Sequence, residues 1–257
     1  MKLIIIFPAH NEEKRIGKTL EEYINFFSKI KNKIEYKLIV VLNACKDNTR
    51  KVVEDYNRKE LEIIEFERGG KGFAIKEGYK YALKYDSDLI GFADADLATK
   101  PEDFYELIKN IMNYEGVIAS RWLPKSRVKR TFLKRITSFG FNFLVRSLFL
   151  LPYKDTQCGA KVFKRGVIEK ITPELGVTEW AFDVDLLYLA KRNKFRIREY
   201  PTVWNDKGGS KIGNIPKTAL QMFLGIFRLR LMYSFLEPLL KPVKFVLRLG
   251  HDLINKK

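Results

Sequence analysis

The chain has 257 residues, 46% hydrophobic and 31% charged, a globular composition with no low-complexity tract and enough length for one α/β domain with a buried core. Lys plus Arg number 48 against 31 Asp plus Glu, and the resulting net charge of +17 draws nucleic acid, anionic headgroups or phosphorylated substrates without choosing among them. The two cysteines, Cys45 and Cys158, give neither a metal-ligand spacing nor a disulfide framework and read as reduced thiols of a cytosolic protein.

The apolar run at the N-terminus is too short for a signal peptide, and residues 3–7 (LIIIF) read as a continuous buried strand. Apolar residues Ile16, Leu20, Tyr23, Ile24 and Phe27 share one face of a helix expected over 14–28. A second strand is expected over 37–42, and Asp47-Asn48-Thr49 then caps a helix over about 49–58. A third strand covers 61–66, Gly69-Gly70-Lys71-Gly72 leads into a helix over about 73–85, and a fourth strand covers 88–93. Pro101 starts a helix to about 113, and 116–120 is a fifth strand. This alternation predicts an α/β fold with a mostly parallel, doubly wound sheet flanked by helices.

The second half has another texture. Residues 121–150 contain eight Lys or Arg and no acid, interleaved with Phe132, Phe139, Phe141, Phe143 and Phe149. From 212 onward, apolar helical segments are again studded with Lys and Arg and broken by Pro238 and Pro242. Arg146 interrupts the apolar stretch 139–153, and Arg228 and Arg230 interrupt 219–236, so neither reads as a membrane span. Both stretches fit basic amphipathic helices in a membrane interface. The expected organisation is a domain over 1–211, with 121–153 as its acceptor- and membrane-facing segment, and interfacial helices over 212–257. There is no internal repeat.

Ligands of doubly wound sheets bind at the carboxyl ends of the strands, and the polar clusters fall there: 8–12, 43–49, 68–72 and 94–99. Asp94 and Asp96 straddle Ala95 where the chain leaves the sheet, so both carboxylates can converge on one hard cation, Mg²⁺ or Mn²⁺, that bridges a diphosphate. Taken alone, the triplet is as easily a solvated loop or a cap before Pro101. Gly69 to Gly72 can place backbone N–H groups and the Lys71 ammonium against phosphate, or can be a simple helix entry. His10 follows the first strand and lines the pocket; His251 lies in the basic tail. The acids of Trp180-Ala181-Phe182-Asp183-Val184-Asp185 are either caps or pocket residues.

Together these segments resemble family 2 glycosyltransferases of the GT-A fold, and among them the polyprenyl-phosphate and dolichyl-phosphate sugar synthases, nearest the glucosyl type. The resemblance runs from residue 3 to about 212. FPAHNEE resembles the segment that lines the nucleotide pocket, implying roles for Pro8, Ala9, Asn11 and Glu12. RGGKGFAIKEG implies that Lys71 and Gly72 approach the nucleotide. DADLATKPED implies a nucleotide and metal site at Asp94, Ala95 and Asp96. IASRW points to Arg121, and KRITSFGFN to Arg135 and Ser138, as the residues that receive the acceptor phosphate. DTQCGAKVF and WAFDVDLLYLA are the most specific segments and imply a substrate pocket with Asp155, Gln157, Cys158, Gly159, Trp180 and Asp183, to which GGSK adds Lys211. Asp185 stands where relatives carry a base. The chain departs from the family after the second strand, where Leu42 and Asn43 replace two aspartates, leaving Asn43 as the polar group there and the nucleobase open. Ala98 stands where mannosyl relatives often carry glutamine.

The resemblance implies inverting transfer of a sugar, glucose by the subgroup, from a UDP-linked donor to a polyprenyl or dolichyl phosphate. Asp96, Asp185, Arg121 and Arg135 are the expected catalytic set. The expected location is cytoplasmic, peripheral on an anionic inner membrane face without a span. GDP-mannose or UDP-N-acetylhexosamine donors, or a non-lipid acceptor, are the rival family readings. A basic nucleic-acid-binding protein is the rival from another class, but no nucleic-acid motif is present and an acidic pocket reads phosphate backbones poorly. A sugar-nucleotide pyrophosphorylase would need a Gly-rich, Arg-containing loop where PAHNEE stands.

Overall fold

A computed structural model describes residues 1–129, 132–176, 181–205 and 215–234. Strands β1 (Lys2–Ala9), β2 (Glu35–Asn43), β3 (Leu61–Phe66) and β4 (Leu89–Ala93) alternate with helices α1 (Ile16–Lys29), α2 (Thr49–Glu54), α3 (Lys71–Ala82) and α4 (Pro101–Lys109). There follow β5 (Gly116–Ser120), β6 (Arg127–Lys129), α5 (Phe132–Phe149), β7 (Ala160–Lys164), α6 (Arg165–Ile171), α7 (Phe182–Arg192), β8 (Ile197–Pro201), β9 (Val203–Asn205) and α8 (Ile215–Met232).

The main sheet has the order β3-β2-β1-β4-β7-β5-β8, and β6 pairs with β9 in a small second sheet. β7 alone runs antiparallel, pairing with β4 on one side and β5 on the other. The sequence places β5 after β4 but does not foresee β7 between them. It is only five residues long, and a lysine at its second position hides its burial.

The continuous apolar strands follow from helices on both faces. On β1, Ile4 and Ile6 join the core under α3, α5, α7 and α8, while Leu3, Ile5 and Phe7 join the core under α1 and α4. Gly78 lets α3 lie close on the sheet, since a Cβ there would fall 2.6 Å from Ile6 Cγ2. Pro101 at the first turn of α4, with Glu102 and Asp103 behind it, matches the helix polarity. The helix expected over 49–58 stops at Glu54, and the chain turns through Asn57 at φ 35°. α8, which the sequence puts in a separate C-terminal segment, buries Ile226 and Leu229 in the same core as α7.

Candidate active site

The carboxyl ends of β1, β2 and β4 come together along one edge of the sheet. Three residues other than glycine take the left-handed backbone there: Asn11 after β1 (φ 53°), Ala44 after β2 (φ 49°) and Leu97 after β4 (φ 57°). Such conformations cost roughly 1–3 kcal/mol each and persist where surrounding contacts impose them, which is common at binding sites.

The expected nucleotide-pocket residues mostly stitch these ends together. Asn43, 2% exposed, donates from Nδ2 to the Ala9 carbonyl (2.8 Å) and accepts at Oδ1 from Gly70 N–H (3.2 Å). Its own carbonyl accepts from His10 Nδ1 (2.7 Å). Asn11 Oδ1 accepts from Lys46 N–H (2.7 Å). Glu12 donates its N–H to Thr49 Oγ1 (2.7 Å) and accepts a bidentate pair from Arg15, 2.6 Å on each arm. Pro8 and Ala9 end β1, opposite Val41 and Leu42. In the Asp47-Asn48-Thr49 cap segment, Asn48 is the N-cap of α2 and makes no side-chain cap bond, while Asp47 Oδ1 accepts from Thr49 N–H at 3.0 Å.

Asp94 and Asp96 follow β4, separated by the buried Ala95. Asp96 Oδ1 accepts from Ala98 N–H (3.0 Å), and its Oδ2 lies 3.9 Å from Arg15 Nη1. Burial, and then the Asp94 charge, raise the Asp96 pKa above the ordinary carboxylate range. Asp94 forms an ion pair with Lys71, the first residue of α3. Burial works against the Lys71 ammonium, but Asp94, Asp183 and Asp96 more than offset it and raise its pKa. α3 starts at Lys71 rather than 73, so Lys71 and Gly72 form the helix N-terminus itself, after Gly70 at φ 120°.

Gly159 closes the back of the Asp94 carboxylate. Its carbonyl accepts from Asp94 N–H (3.1 Å), and a Cβ at this position would fall 1.8 Å from Asp94 Oδ2. Only glycine leaves room for that carboxylate.

Arg121 is already paired with Asp155: Nε and Nη2 donate to the two carboxylate oxygens at 2.6 and 2.8 Å, and the Arg121 N–H adds a third bond at 2.9 Å. Asp155 is fully buried, and the Arg121 guanidinium sits over Trp204, 5.5 Å from the ring. Burial favours the neutral acid, yet Arg121 dominates and holds Asp155 below the ordinary range. Asp155 Oδ1 also accepts from Gln157 N–H (3.2 Å). The guanidinium expected to receive acceptor phosphate is thus committed to a buried bidentate pair. Burial pushes the Cys158 thiol up to about 11, against the pull of Arg121, so it is no nucleophile.

The two α7 acids diverge. Asp183 accepts from Lys161 Nζ at 2.5 Å. Asp185 is turned the other way: it accepts from Gly176 N–H (2.9 Å) and from the Tyr233 hydroxyl beyond α8. Residues two apart on a helix face different sides, so the carboxylate expected as a base is placed in a buried clamp. Ser138 lies on α5, where its carbonyl accepts from Asn142 Nδ2 (3.0 Å), and Asn142 Oδ1 accepts from Thr156. The Arg135 side chain, Trp180 and Lys211 lie outside the described residues. Lys161 and Arg15 were not foreseen. Lys161 becomes visible only through the β4–β7 register, and Arg15 only through the Glu12-x-x-Arg15 spacing on the first turn into α1.

The family model for glycosyl transferase family 2 matches residues 4–172. This chain belongs to that family. The glycosyltransferase is 34% identical over 253 residues to a dolichyl-phosphate beta-glucosyltransferase of Dictyostelium discoideum, with 90% of this chain and 74% of that one covered. It is 33% identical over 250 residues to the human dolichyl-phosphate beta-glucosyltransferase, with 90% and 76% covered. A glucosyl-3-phosphoglycerate synthase from Mycobacterium tuberculosis, solved with Mn²⁺, UDP and phosphoglyceric acid, shares the fold at TM-score 0.69 and 15% identity, over 89% of this chain and 78% of that one. The family that the segments resemble, and the mostly parallel sheet expected from the alternation of strands and helices, are those found.

Proposed function

We propose that this glycosyltransferase moves glucose from UDP-glucose to a dolichyl or other polyprenyl phosphate, with Mg²⁺ or Mn²⁺ at Asp94 and Asp96, while lying peripherally on the cytoplasmic face of a membrane. The observation that carries the reading is the Asp94–Asp96 pair at the sheet's carboxyl edge, backed by Gly159 and faced by Lys71 at a helix N-terminus. The names of the curated relatives supply the sugar and the acceptor.

The residues fit a hard divalent ion. Asp94 and Asp96 place two carboxylates in one part-buried site where the chain leaves β4, with Gly159 leaving room for Asp94. Among the described residues no three His, Cys, Asp or Glu side chains group around one point. Asp94 and Asp96 would hold the ion through carboxylate oxygens, a donor type that suits Mg²⁺ or Mn²⁺ rather than zinc. Such an ion supplies positive charge against the charge developing on the diphosphate leaving group.

The chain's own groups do the rest. Lys71 and the first N–H groups of α3 offer positive charge to phosphate oxygens. Arg121, held rigid by Asp155, shapes the wall of the acceptor side. A phosphate monoester has a second pKa near 6, so its oxygen is anionic at neutral pH and needs positioning more than deprotonation. Both α7 carboxylates are engaged, Asp183 by Lys161 and Asp185 by Gly176 and Tyr233, which supports an acceptor that arrives already ionised.

A lipid acceptor stays in its bilayer. No helix among the described residues is long and apolar enough to cross a membrane. α5 exposes Phe139 and Phe143, and α8, which packs against it, exposes Phe223, Leu224 and Phe227, with Arg146, Arg228 and Arg230 also exposed. Aromatic groups with flanking cations suit an anionic interface.

The test is purified protein with Mg²⁺ or Mn²⁺, polyprenyl phosphate and a panel of UDP- and GDP-sugars, followed by mass spectrometry of the lipid. Glucosyl-lipid formed from UDP-glucose is the expected product. No turnover with any donor would sink the reading, and turnover with GDP-mannose alone would sink the glucosyl assignment.

A further inference from the structure

Lys161 is fully buried within a strand, an expensive place for an ammonium unless partners hold it. β7 pairs it with Phe92 on β4, two residues before Asp94, and Nζ lies 5.2 Å from the centre of the Phe92 ring. Nζ donates to Asp183 Oδ1 at 2.5 Å and to the Cys158 carbonyl at 2.6 Å. Each bond leads to the donor site. The Cys158 carbonyl belongs to the peptide that joins Gly159, which lies so close to Asp94 that a Cβ there would fall 1.8 Å from Oδ2. The Gly159 carbonyl in turn accepts from Asp94 N–H at 3.1 Å, so the path from Lys161 reaches Asp94 through backbone, and the Asp183 charge adds to that of Asp94 in favouring the Lys71 ammonium. Three ion pairs line this path: Lys161 with Asp183, Lys71 with Asp94, and Arg15 with Asp96 and Glu12.

We propose that Lys161, through its bonds to Asp183 and the Cys158 carbonyl, is a positioning residue that sets the Asp94 carboxylate and the Lys71 ammonium for the metal and the donor diphosphate. The proposal rests on the metal and nucleotide reading of the Asp94–Asp96 site. A purely structural pair would behave differently. A buried ion pair can often be replaced by apolar residues of similar volume without loss of stability, so a pair that only fills the core is dispensable once both charges leave together.

The decisive protein is the double variant K161M/D183L, with K161R as the conservative partner. Mn²⁺ binding is followed by electron paramagnetic resonance with no donor present, UDP binding is followed by calorimetry at saturating Mn²⁺, and folding is followed by thermal denaturation. Outer groups that orient metal ligands typically cost about 10–100-fold in metal affinity when removed. The expected result is a K161M/D183L protein that melts within a few degrees of the wild type, binds Mn²⁺ about 10–100-fold more weakly, and binds UDP more weakly. K161R is expected to recover most of the Mn²⁺ affinity. A folded double variant with wild-type Mn²⁺ and UDP affinity overturns the proposal, and so does loss of folding in both variants, which would assign the pair to the core alone. Wild-type protein that binds no Mn²⁺ would instead overturn the metal reading of the site.

Discussion

At the carboxyl ends of β1, β2 and β4, polar side chains are tied to backbone: Asn43 to Ala9 and Gly70, Asp96 to Ala98, Glu12 to Arg15 and Thr49. Along α5 and α8 the outward positions are instead occupied by Phe139, Phe143 and Phe227, with Arg146 and Arg228 beside them. The first edge fixes distances, as a site for a small, highly charged ligand must. The second exposes aromatic rings and guanidinium groups, the surface that the proposed attachment to an anionic membrane would use. Behind the first edge, the 155–161 segment holds two buried ion pairs, Arg121–Asp155 and Lys161–Asp183.

The largest effect expected from breaking the first edge is at Asp96. Replacing it with alanine removes one of two carboxylates, and metal charge stabilisation is worth several kcal/mol, so kcat/KM should fall by about 10³-fold or more. Chelation of the wild type should give the same loss and restoration by Mn²⁺ should reverse it, whereas the alanine variant should not recover. Steady-state kinetics with UDP-glucose decides this, and a loss under tenfold would remove Asp96 from the metal site.

Asp155 belongs to one of the two buried pairs. Leaving Arg121 buried without its partner in Asp155→Ala should cost about 3–5 kcal/mol, a fall in melting temperature of roughly 6–20 °C for a chain of this size. The sign with pH follows from the lowered pKa. Unfolded Asp titrates near 3.9, and the folded value is lower because Arg121 outweighs burial. The pair's contribution is therefore complete above about pH 4 and is lost as pH falls through the folded value. Acid denaturation of the wild type should show that loss, and the variant should lack it. Equal acid slopes for the two proteins would contradict the assignment.

How far the sequence foretells each region depends on whether periodicity or pairing determines it. Strands 61–66 and 116–120 appear with the expected limits, the second because its apolar run is buried throughout, the first as a half-buried edge strand. The strand-end clusters were legible because this sheet topology leaves them one place to go. β7 was not, because Lys161 interrupts Ala160–Lys164 and its burial exists only once Asp183 is across from it. The same long-range pairing decides which α7 acid faces the site: at two residues apart, helical geometry separates Asp183 from Asp185 without saying which turns inward. Asn43 looked like a weakened ligand by resemblance, but its bonds make it a clamp between two strand ends.

The outer surface should respond more gently. Each phenylalanine that enters an interface contributes up to about 1.5 kcal/mol, about tenfold in partitioning. Phe139→Ser and Phe143→Ser should each weaken cosedimentation with anionic liposomes by up to about tenfold, with no change in Mn²⁺ affinity. Binding that is unchanged in the double variant would remove α5 from the docking surface.

The mildest change, Asn43→Asp, separates scaffold from ligand most sharply. It restores the acid that the family usually carries after the second strand, so a base-contacting role predicts tighter or altered nucleotide selection. The bonding predicts something else. A carboxylate can still accept from Gly70 N–H but cannot donate to the Ala9 carbonyl, and it would set two acceptors against each other at 2.8 Å in a buried position. Loss of one partner from a buried pair costs about 1–3 kcal/mol. The expected outcome is a melting temperature lower by a few degrees and a UDP-over-GDP preference within about twofold of the wild type, because the amide's two ends are occupied by the strands it joins. A tenfold shift in that preference would return Asn43 to the nucleotide pocket.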